Sequence, residues 1–453
     1  MSSRRIAVVG GGLAGLAAAL ECADAGATVT LFESRSRLGG ATFSVQRHGY
    51  WLDNGQHVAL RCCTAYRSFL RRLGVDHLLE LQPRLRIPVL SPDGPASTLE
   101  RNSLPAPFHL TSTLLRYGHL SLRERLMASR AALALRSLDP TDPELDRQAF
   151  GHWLRAHGQS ERAVAALWNL IALPTLNLSA DDASLALAVK VFRTGLLDES
   201  DACDIGVPSV PLQQLHADPA AAALTSLGAR IETSAAVRRI DRTDDGLKVH
   251  LRDTEEPADA VIVAVPHDSA AQLLPEGTLD PQALEGLGAS PIVNVHLHYD
   301  RPVLDQPFAA AVDSPVQWVF DRTAASGVEE GQFICISISG ADAEIGQPEE
   351  ELRERYVGAL ARLLPAAGNA QLLDGFVTRQ PRATFRGIPG TQVLRPGAHT
   401  SVEGLYVAGA WTDTGWPATM EGAVRSGVAA ARAALAQRPA SAVADAKRLE
   451  PVA

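Results

Sequence analysis

The chain has 453 residues, too many for one compact core, and implies two or three domains. Hydrophobic residues make up 46% and charged residues 21%, and a formal net charge of −9 argues against the basic face that a nucleic-acid partner requires. The five cysteines (Cys22, Cys62, Cys63, Cys203 and Cys335) are scattered and lack C-x-x-C spacing, so neither a disulfide framework nor a zinc site is indicated and a reducing cytoplasm is the simplest compartment.

Arg4-Arg5 ahead of an apolar stretch has the look of an export signal, but three consecutive glycines, Glu21, Asp24 and a following strand fit a nucleotide-binding unit instead. An apolar run, Ile6 to Val9, enters a turn with Gly10, Gly12 and Gly15 at G-x-G-x-x-G spacing, and Leu16 to Leu20 continue as a helix. Such a turn brings backbone close to a pyrophosphate, and the helix N-terminus offers it free N–H groups. A second strand, Thr28 to Glu33, ends in a carboxylate suited to an unphosphorylated ribose diol. Arg37-Leu38-Gly39-Gly40 then adds a cation and two permissive backbone positions, which selects FAD over NAD; a plain surface loop is the alternative.

Residues 50–57 read as a loop. From about 86 to 207 prolines at 83, 88, 92, 95, 105 and 107 give way to Leu, Ala and Arg at helical spacing, an inserted helical region. Strand patterns resume after 208: Arg230 to Glu232, Ala236 to Ile240, Leu247 to Leu251 and Ala260 to Val265, with a helix reaching Leu227. Val293 to Tyr299 and Phe333 to Ser339 alternate as sheet strands, and Glu349 to Leu364 has helical period. Leu405 to Ala408 forms a last strand, Gly409 a turn, and a small-residue helix starts around Pro417 and runs to about Leu435; the tail from Gln437 reads as disordered. The organisation expected is an FAD-binding part at 1–85, 208–285 and 396–436, and a substrate part at 86–207 and 286–395.

These segments resemble the FAD-dependent amine oxidase and carotenoid desaturase superfamily over nearly the whole length. Within it, Leu52-Asp53-Asn54-Gly55-Gln56-His57 and Thr414-Gly415-Trp416-Pro417-Ala418-Thr419-Met420-Glu421-Gly422-Ala423 are most similar to the squalene-associated FAD-dependent desaturases. The resemblance implies an α/β fold with a Rossmann-like FAD domain of the amine oxidase and phytoene desaturase type, an inserted substrate domain with a mixed sheet and helices, noncovalent FAD, and the reduction of hydroxysqualene to squalene in hopanoid formation. Gly10, Gly12, Gly15, Glu33, Arg37, Gly39 and Gly40 match the adenosine and pyrophosphate site. Val237 matches a strand giving backbone contacts to adenine, and Gly409, Met420, Glu421 and Ala423 match the flavin end. Leu13, Ala14, Ser34, Ala41, Gly55, Gln56, His57, Asp413 and Ala418 complete the expected cofactor contacts. Ala410 departs from the acidic residue common after that last glycine, and Asp413 is the candidate substitute.

Removing an allylic hydroxyl asks for a proton donor in an otherwise dry site. His57 is the first candidate acid, the alternative being a structural histidine bonded to a loop carbonyl. Asp53 either orients it or caps a turn. Trp411 and Trp416 either flank the flavin and stabilise an allylic cation or pack in the core. His296 and His298 share a strand face without a third metal ligand, and no metal is expected. Adjacent Cys62 and Cys63 read as two buried small residues rather than a redox pair. Leu167 to Leu178 and Leu185 to Phe192 suit either a lipid tunnel or core packing.

No uncharged apolar run reaches the ~18–20 residues of a membrane span. Between Ser103 and Arg136, five arginines (Arg116, Arg123, Arg125, Arg130, Arg136) and one acid, Glu124, interleave with leucines, as on a helix lying on anionic lipid or on a solvated face. The strand Val261 to Pro266 lacks a second glycine fingerprint, so an external reductant is expected. The alternatives are a desaturase or amine oxidase running the flavin oxidatively, or a flavin-binding isoprenoid carrier without turnover. With 5% aromatic residues, the chain offers little to build an amine-binding aromatic cage.

Overall fold

The computed structural model describes residues 3–94, 96–244 and 246–436; the tail from Gln437 lies outside the described residues. The first unit is β1 (Arg5–Val9), α1 (Leu13–Asp24) and β2 (Thr28–Phe32). The two strands pair in parallel from Arg5↔Thr28 to Val9↔Phe32. They belong to a five-stranded parallel sheet ordered Arg230–Glu232, β2, β1, Ala260–Val263, Leu405–Val407. Both faces of this sheet are covered, which is why its central strands read as apolar runs rather than alternating ones. Ala7, Val9, Val261, Val263 and Val407 join the core on one face, and Ile6, Val8, Ile262 and Tyr406 join it on the other.

The final helix, Met420–Ala436, crosses α1 so closely that a Cβ added at Gly427 would lie 2.1 Å from the Ala14 carbonyl oxygen. The two ends of the chain therefore share one sheet, in which Ala260–Val263 separates β1 from Leu405–Val407, and touch directly through these helices.

A seven-stranded mixed sheet is ordered Leu372–Thr384, Ser290–Tyr299, Gln332–Ser339, Trp318–Asp321, Phe308–Ala311, Arg86–Leu90, Ser97–Glu100. The helical reading after residue 86 is corrected at its start, because Arg86–Leu90 and Ser97–Glu100 are strands of this sheet. Ile87, Val89 and Leu99 face one core at period two, in a stretch whose prolines break a helix. Helices then dominate: α2 (Thr64–Arg72) precedes the insert, and α3 (Thr111–Arg116) and α4 (Leu122–Arg136) lie within it. A capping box fixes the start of α4, with the Ser121 side chain accepting from the Glu124 N–H while Glu124 accepts from the Ser121 N–H. No helix among the described residues is long and apolar enough to cross a membrane.

Three local expectations differ. The 50–57 loop begins as a hairpin of β3 (Ser44–Arg47) and β4 (Tyr50–Asp53), leaving only residues 54–57 irregular before Val58. Val237 precedes its strand, which is Arg239–Thr243. The chain before it is tied to the end of β2 by hydrogen bonds from Ala235 N–H to Glu33 O (2.9 Å) and Ser234 N–H to Arg35 O (2.8 Å). Pro417 lies outside the last helix, which starts at Met420 because the Thr419 hydroxyl accepts from the Gly422 N–H at 3.1 Å and so caps it.

Candidate active site

The turn after β1 is a cradle built from backbone. Gly10 has φ +108°, and a Cβ added at Gly40 (φ +56°) would lie 2.7 Å from the Gly12 Cα, so only glycine permits the two turns to touch. Gly39 N–H donates to Gly11 O at 2.8 Å and closes the contact. No side chain among the described residues caps α1, and its first-turn amides, those of Leu13, Ala14 and Gly15, have no intrahelical acceptors. Glu33 is buried, and its oxygens accept from Gly11 N–H (2.7 Å), Arg35 N–H (2.7 Å) and Ser34 Oγ (3.2 Å). The guanidinium of Arg37 stacks on the Phe43 ring at 3.6 Å with its buried Nε unpartnered. Burial and nearby Arg35 lower its pKa. Uncapped amides, an unpaired cation and side-chain-free backbone are the donor set a pyrophosphate needs. Ser34 and Ala41 lie exposed beside this cradle, and Val237 is buried beyond Glu33.

At the other end, Gly409 (φ +146°) leaves the last strand; a Cβ there would lie 2.3 Å from Trp411 Nε1. Trp411 is buried and donates to Val265 O at 2.9 Å, a core role, whereas Trp416 stands in a cavity wall. The turn 410–416 is gripped by an arginine that sequence reasoning missed. Arg395 is buried and donates to the carbonyl oxygens of Ala410 (3.4 Å), Trp411 (3.2 Å), Thr412 (2.6 Å) and Trp416 (2.7 Å). Burial brings its pKa down to about 10, leaving it protonated. Asp413, the candidate substitute at this turn, is exposed and accepts from Gln392 Nε2 (3.0 Å) and Gly415 N–H (3.1 Å). The Glu421 carboxylate is fully buried on the N-terminus of α2, accepting from Ala65 N–H (3.1 Å), Tyr66 N–H (2.7 Å) and Arg425 Nε (2.7 Å). What Glu421 keeps for a ligand is its backbone in the first turn of the last helix, beside Met420, Ala418 and Ala423.

A cavity of about 460 Å³ opens beside Trp416–Glu421. Its other walls come from 58–63, α3 and α4, 167–175 and 190–197, and the sheet residues Ile87, Leu99, Trp318 and Phe320. The stretches expected to line a tunnel or pack a core do both: Leu170 and Phe192 lie in the wall, while Ala172 and Leu185 are core. Cys62 and Cys63 are half-exposed to this cavity rather than buried.

His57 is not among the lining residues. Its Nδ1 lies 2.8 Å from Gly55 O, the loop-carbonyl contact of the structural alternative, and burial lowers its pKa. Asp53 neither caps its own turn nor orients His57. It is buried, accepting from Ser44 Oγ (2.6 Å), Leu212 N–H (3.0 Å) and Arg322 Nη2 (2.9 Å). Gly55 and Gln56 complete that loop, and Gln56 N–H donates to Asn294 Oδ1 at 3.2 Å. His296 bonds Thr378 Oγ1 (3.1 Å), and His298 bonds Tyr50 OH (3.1 Å) and Glu330 O (2.9 Å), so each ring has a partner of its own.

A parallel sheet with a glycine cradle after its first strand and an apolar cavity at the start of its last helix is the framework of a flavoenzyme, and the chain belongs to the flavin-containing amine oxidoreductase family, whose model matches residues 13–435. It is a flavin-dependent oxidoreductase. It is 31% identical to the hydroxysqualene dehydroxylase of Rhodopseudomonas palustris over 96% of this chain and 99% of that one. It is 28% identical to that of Sinorhizobium fredii over 96% and 99%, and 26% identical to the 15-cis-phytoene desaturase of Narcissus pseudonarcissus over 93% and 78%. Among solved structures, putrescine oxidase bound to putrescine matches with a TM-score of 0.72 at 22% identity over 96% and 100% of the two chains, which establishes the shared fold.

Proposed function

We propose that the protein removes the hydroxyl group of hydroxysqualene reductively, yielding squalene and water, with noncovalently held FAD. The observation that carries this reading is the meeting of the segment before the last helix with an apolar cavity of about 460 Å³, walled mainly by aliphatic and aromatic side chains. Near-full-length similarity to two hydroxysqualene dehydroxylases supports it. Gly10, Gly12, Leu13, Ala14, Gly15, Glu33, Ser34, Arg37, Gly39, Gly40, Ala41 and Val237 would hold the adenosine and pyrophosphate. Gly55, Gln56, His57, Gly409, Asp413, Ala418, Met420, Glu421 and Ala423 would surround the ring end. No cysteine lies between Leu405 and Ala436, which supports noncovalent attachment. Reduced FAD, when bound, supplies a hydride. The chain's own contribution is a wall that excludes water, a backbone cradle for the anion and a helix N-terminus pointed at developing negative charge. In this division, 1–85, 208–285 and 396–436 bind FAD, 86–207 and 286–395 bind the isoprenoid, and an external donor reduces the flavin.

Anaerobic mixing of the reduced protein with hydroxysqualene is expected to return the oxidised flavin spectrum with one squalene per flavin. Failure to reoxidise refutes the reading. Bleaching of the oxidised protein by a polyene or an amine would install the oxidative alternative, and binding without any spectral change would install the carrier.

The same reading has the substrate entering from a membrane face. Leu115 (52% exposed), Leu122 (69%) and Leu126 (61%) project outward from α3 and α4, whose other residues, including Leu114 and Leu133, line the cavity. Arg116, Arg123 and Arg130 are exposed beside them, whereas Arg125 is spent on the carbonyls of Leu115 and Leu120, and Arg136 on Asp198. Such a face suits peripheral contact with anionic lipid. A Leu122→Asp/Leu126→Asp double variant is expected to lower binding to phosphatidylglycerol vesicles about tenfold or more in flotation, since each leucine leaving water contributes roughly 1.5–3 kcal/mol. Unchanged flotation would remove the membrane from the scheme.

A further inference from the structure

Lys190 stands apart from the other cations of this chain. Of 42 basic residues only Lys190, Lys248 and Lys447 are lysines. Lys248 sits in a hairpin and pairs with Glu255 at 2.8 Å. Lys190 lies in the last turn of the helix Leu185–Phe192, after the buried run Leu185 to Val189, and its side chain lines the apolar cavity. No ion pair or hydrogen bond holds its ammonium among the described residues. Its Nζ lies 4.9 Å from the centroid of the Trp416 ring, and the Arg425 guanidinium lies 5.2 Å from the same centroid. This places the amine at the end of the cavity formed by Trp416–Glu421.

The other ionisable groups of the wall are committed elsewhere. Glu421 caps α2 and pairs with Arg425. The Tyr66 hydroxyl lies 2.7 Å from His216 Nε2. Burial pushes the Cys203 thiol up to about 12, and the Cys62 thiol together with burial raises Cys63 well above its ordinary value. The bond with Cys63 draws the Cys62 thiol below its ordinary value.

We propose that Lys190 is the proton donor to the leaving oxygen, an assignment that rests on the dehydroxylase reading above. In the step, the carbon–oxygen bond breaks with its electron pair on oxygen. That oxygen takes one Nζ proton and departs as water, the carbon receives the hydride that reduced FAD supplies, and the neutral amine regains a proton from solvent. Lysine is the cation suited to this. Arginine keeps its proton at any working pH, whereas an ammonium in an apolar wall becomes a stronger acid. Burial, then Arg425 and Arg193, lower the Lys190 pKa, and Cys62 and Asp198 oppose them. The ring face of Trp416 holds the ammonium in place.

The test is anaerobic single turnover of the reduced holoprotein with hydroxysqualene, followed through flavin absorbance. Lys190→Met and Lys190→Arg are each expected to slow reoxidation about 100-fold or more, with flavin spectrum and squalene affinity unchanged. The active form is the ammonium, so the wild-type rate should fall as pH rises through a pKa below the ordinary lysine value, and both variants should lose that limb. Because the chain has three lysines, Nζ-labelled NMR resolves Lys190 directly, and its signal should titrate below the ordinary lysine value. If the wild type itself does not reoxidise, the dehydroxylase reading fails. If the wild type reacts and Lys190→Arg matches it, or if Lys190 titrates at or above the ordinary lysine value, the proton-donor assignment alone is overturned.

Discussion

Replacing Arg322 by Met is expected to cost about 3–5 kcal/mol of folding stability, the usual loss when one partner of a buried ion pair is removed and the other is left behind. Arg322 and Asp53 are 6% and 8% exposed, and their Nη2–Oδ2 distance is 2.9 Å. The pair joins three stretches of chain. Asp53 ends the β3–β4 hairpin, Arg322 follows the strand Trp318–Asp321 of the seven-stranded sheet, and between them the carbonyls of Pro208 and Val210 accept from the same guanidinium. Asp53 also accepts from the Leu212 N–H, so the uncompensated carboxylate would destabilise the start of the helical turn at Gln213–Ala217 as well. Urea unfolding of the flavin-free protein measures the loss. An Asp53→Asn/Arg322→Met double variant should recover a large part of it, because the stranded charge is gone. If the double variant is as unstable as the single, the cost lies in packing and the ion-pair argument is wrong.

The contrast between Arg322 and Gly12 shows what a linear reading reaches. The glycine cradle was legible because strand, turn, helix and carboxylate fall within 33 residues and each has a local cause: apolar run, positive φ or close approach, helical period, strand end. The last strand and helix were legible for the same reason. Asp53 and Arg322 lie 269 positions apart, and no periodicity links them. The two tryptophans of the 410–416 turn have the same chemistry and opposite fates. Trp411 turns inward to the Val265 carbonyl and Trp416 faces the cavity, a choice made by the sheet and by helix 185–192, not by their neighbours in sequence. The surroundings of His57 were not legible in its motif, because they are set by burial and by the Gly55 carbonyl two residues away. Lys190 sits within an apolar stretch, and its rarity among the cations is the signal the sequence carries for it.

Arg395 should control whether the protein keeps its flavin. It is a buried cation with no carboxylate in hydrogen-bonding contact among the described residues, since Asp413 bonds Gln392 and Gly415 while Asp146 is bonded by Ser184 Oγ and the Gln392 N–H. Its charge is instead spread over carbonyls of Ala410, Trp411, Thr412 and Trp416, with the Phe385 ring 4.7 Å from its Cζ and Gln392 Oε1 accepting from Nη1 at 3.0 Å. Hydrogen bonds from a charged donor contribute roughly 1.5–3 kcal/mol each, and carbonyls deprived of their donor must find water or move. Arg395→Met therefore unfastens the turn that leads from Gly409 to the last helix. The expected result is an FAD dissociation constant raised about 100-fold, equivalent to roughly 3 kcal/mol, read from the fluorescence of released flavin. Arg395→Lys should restore only part of this, because one ammonium cannot reach carbonyls that a planar fork serves together. Unfolding of the flavin-free variant separates the two possible causes. A loss of stability with flavin affinity intact would mean that the turn braces the fold without touching the cofactor, and a loss of affinity exceeding any loss of stability would place the turn against it.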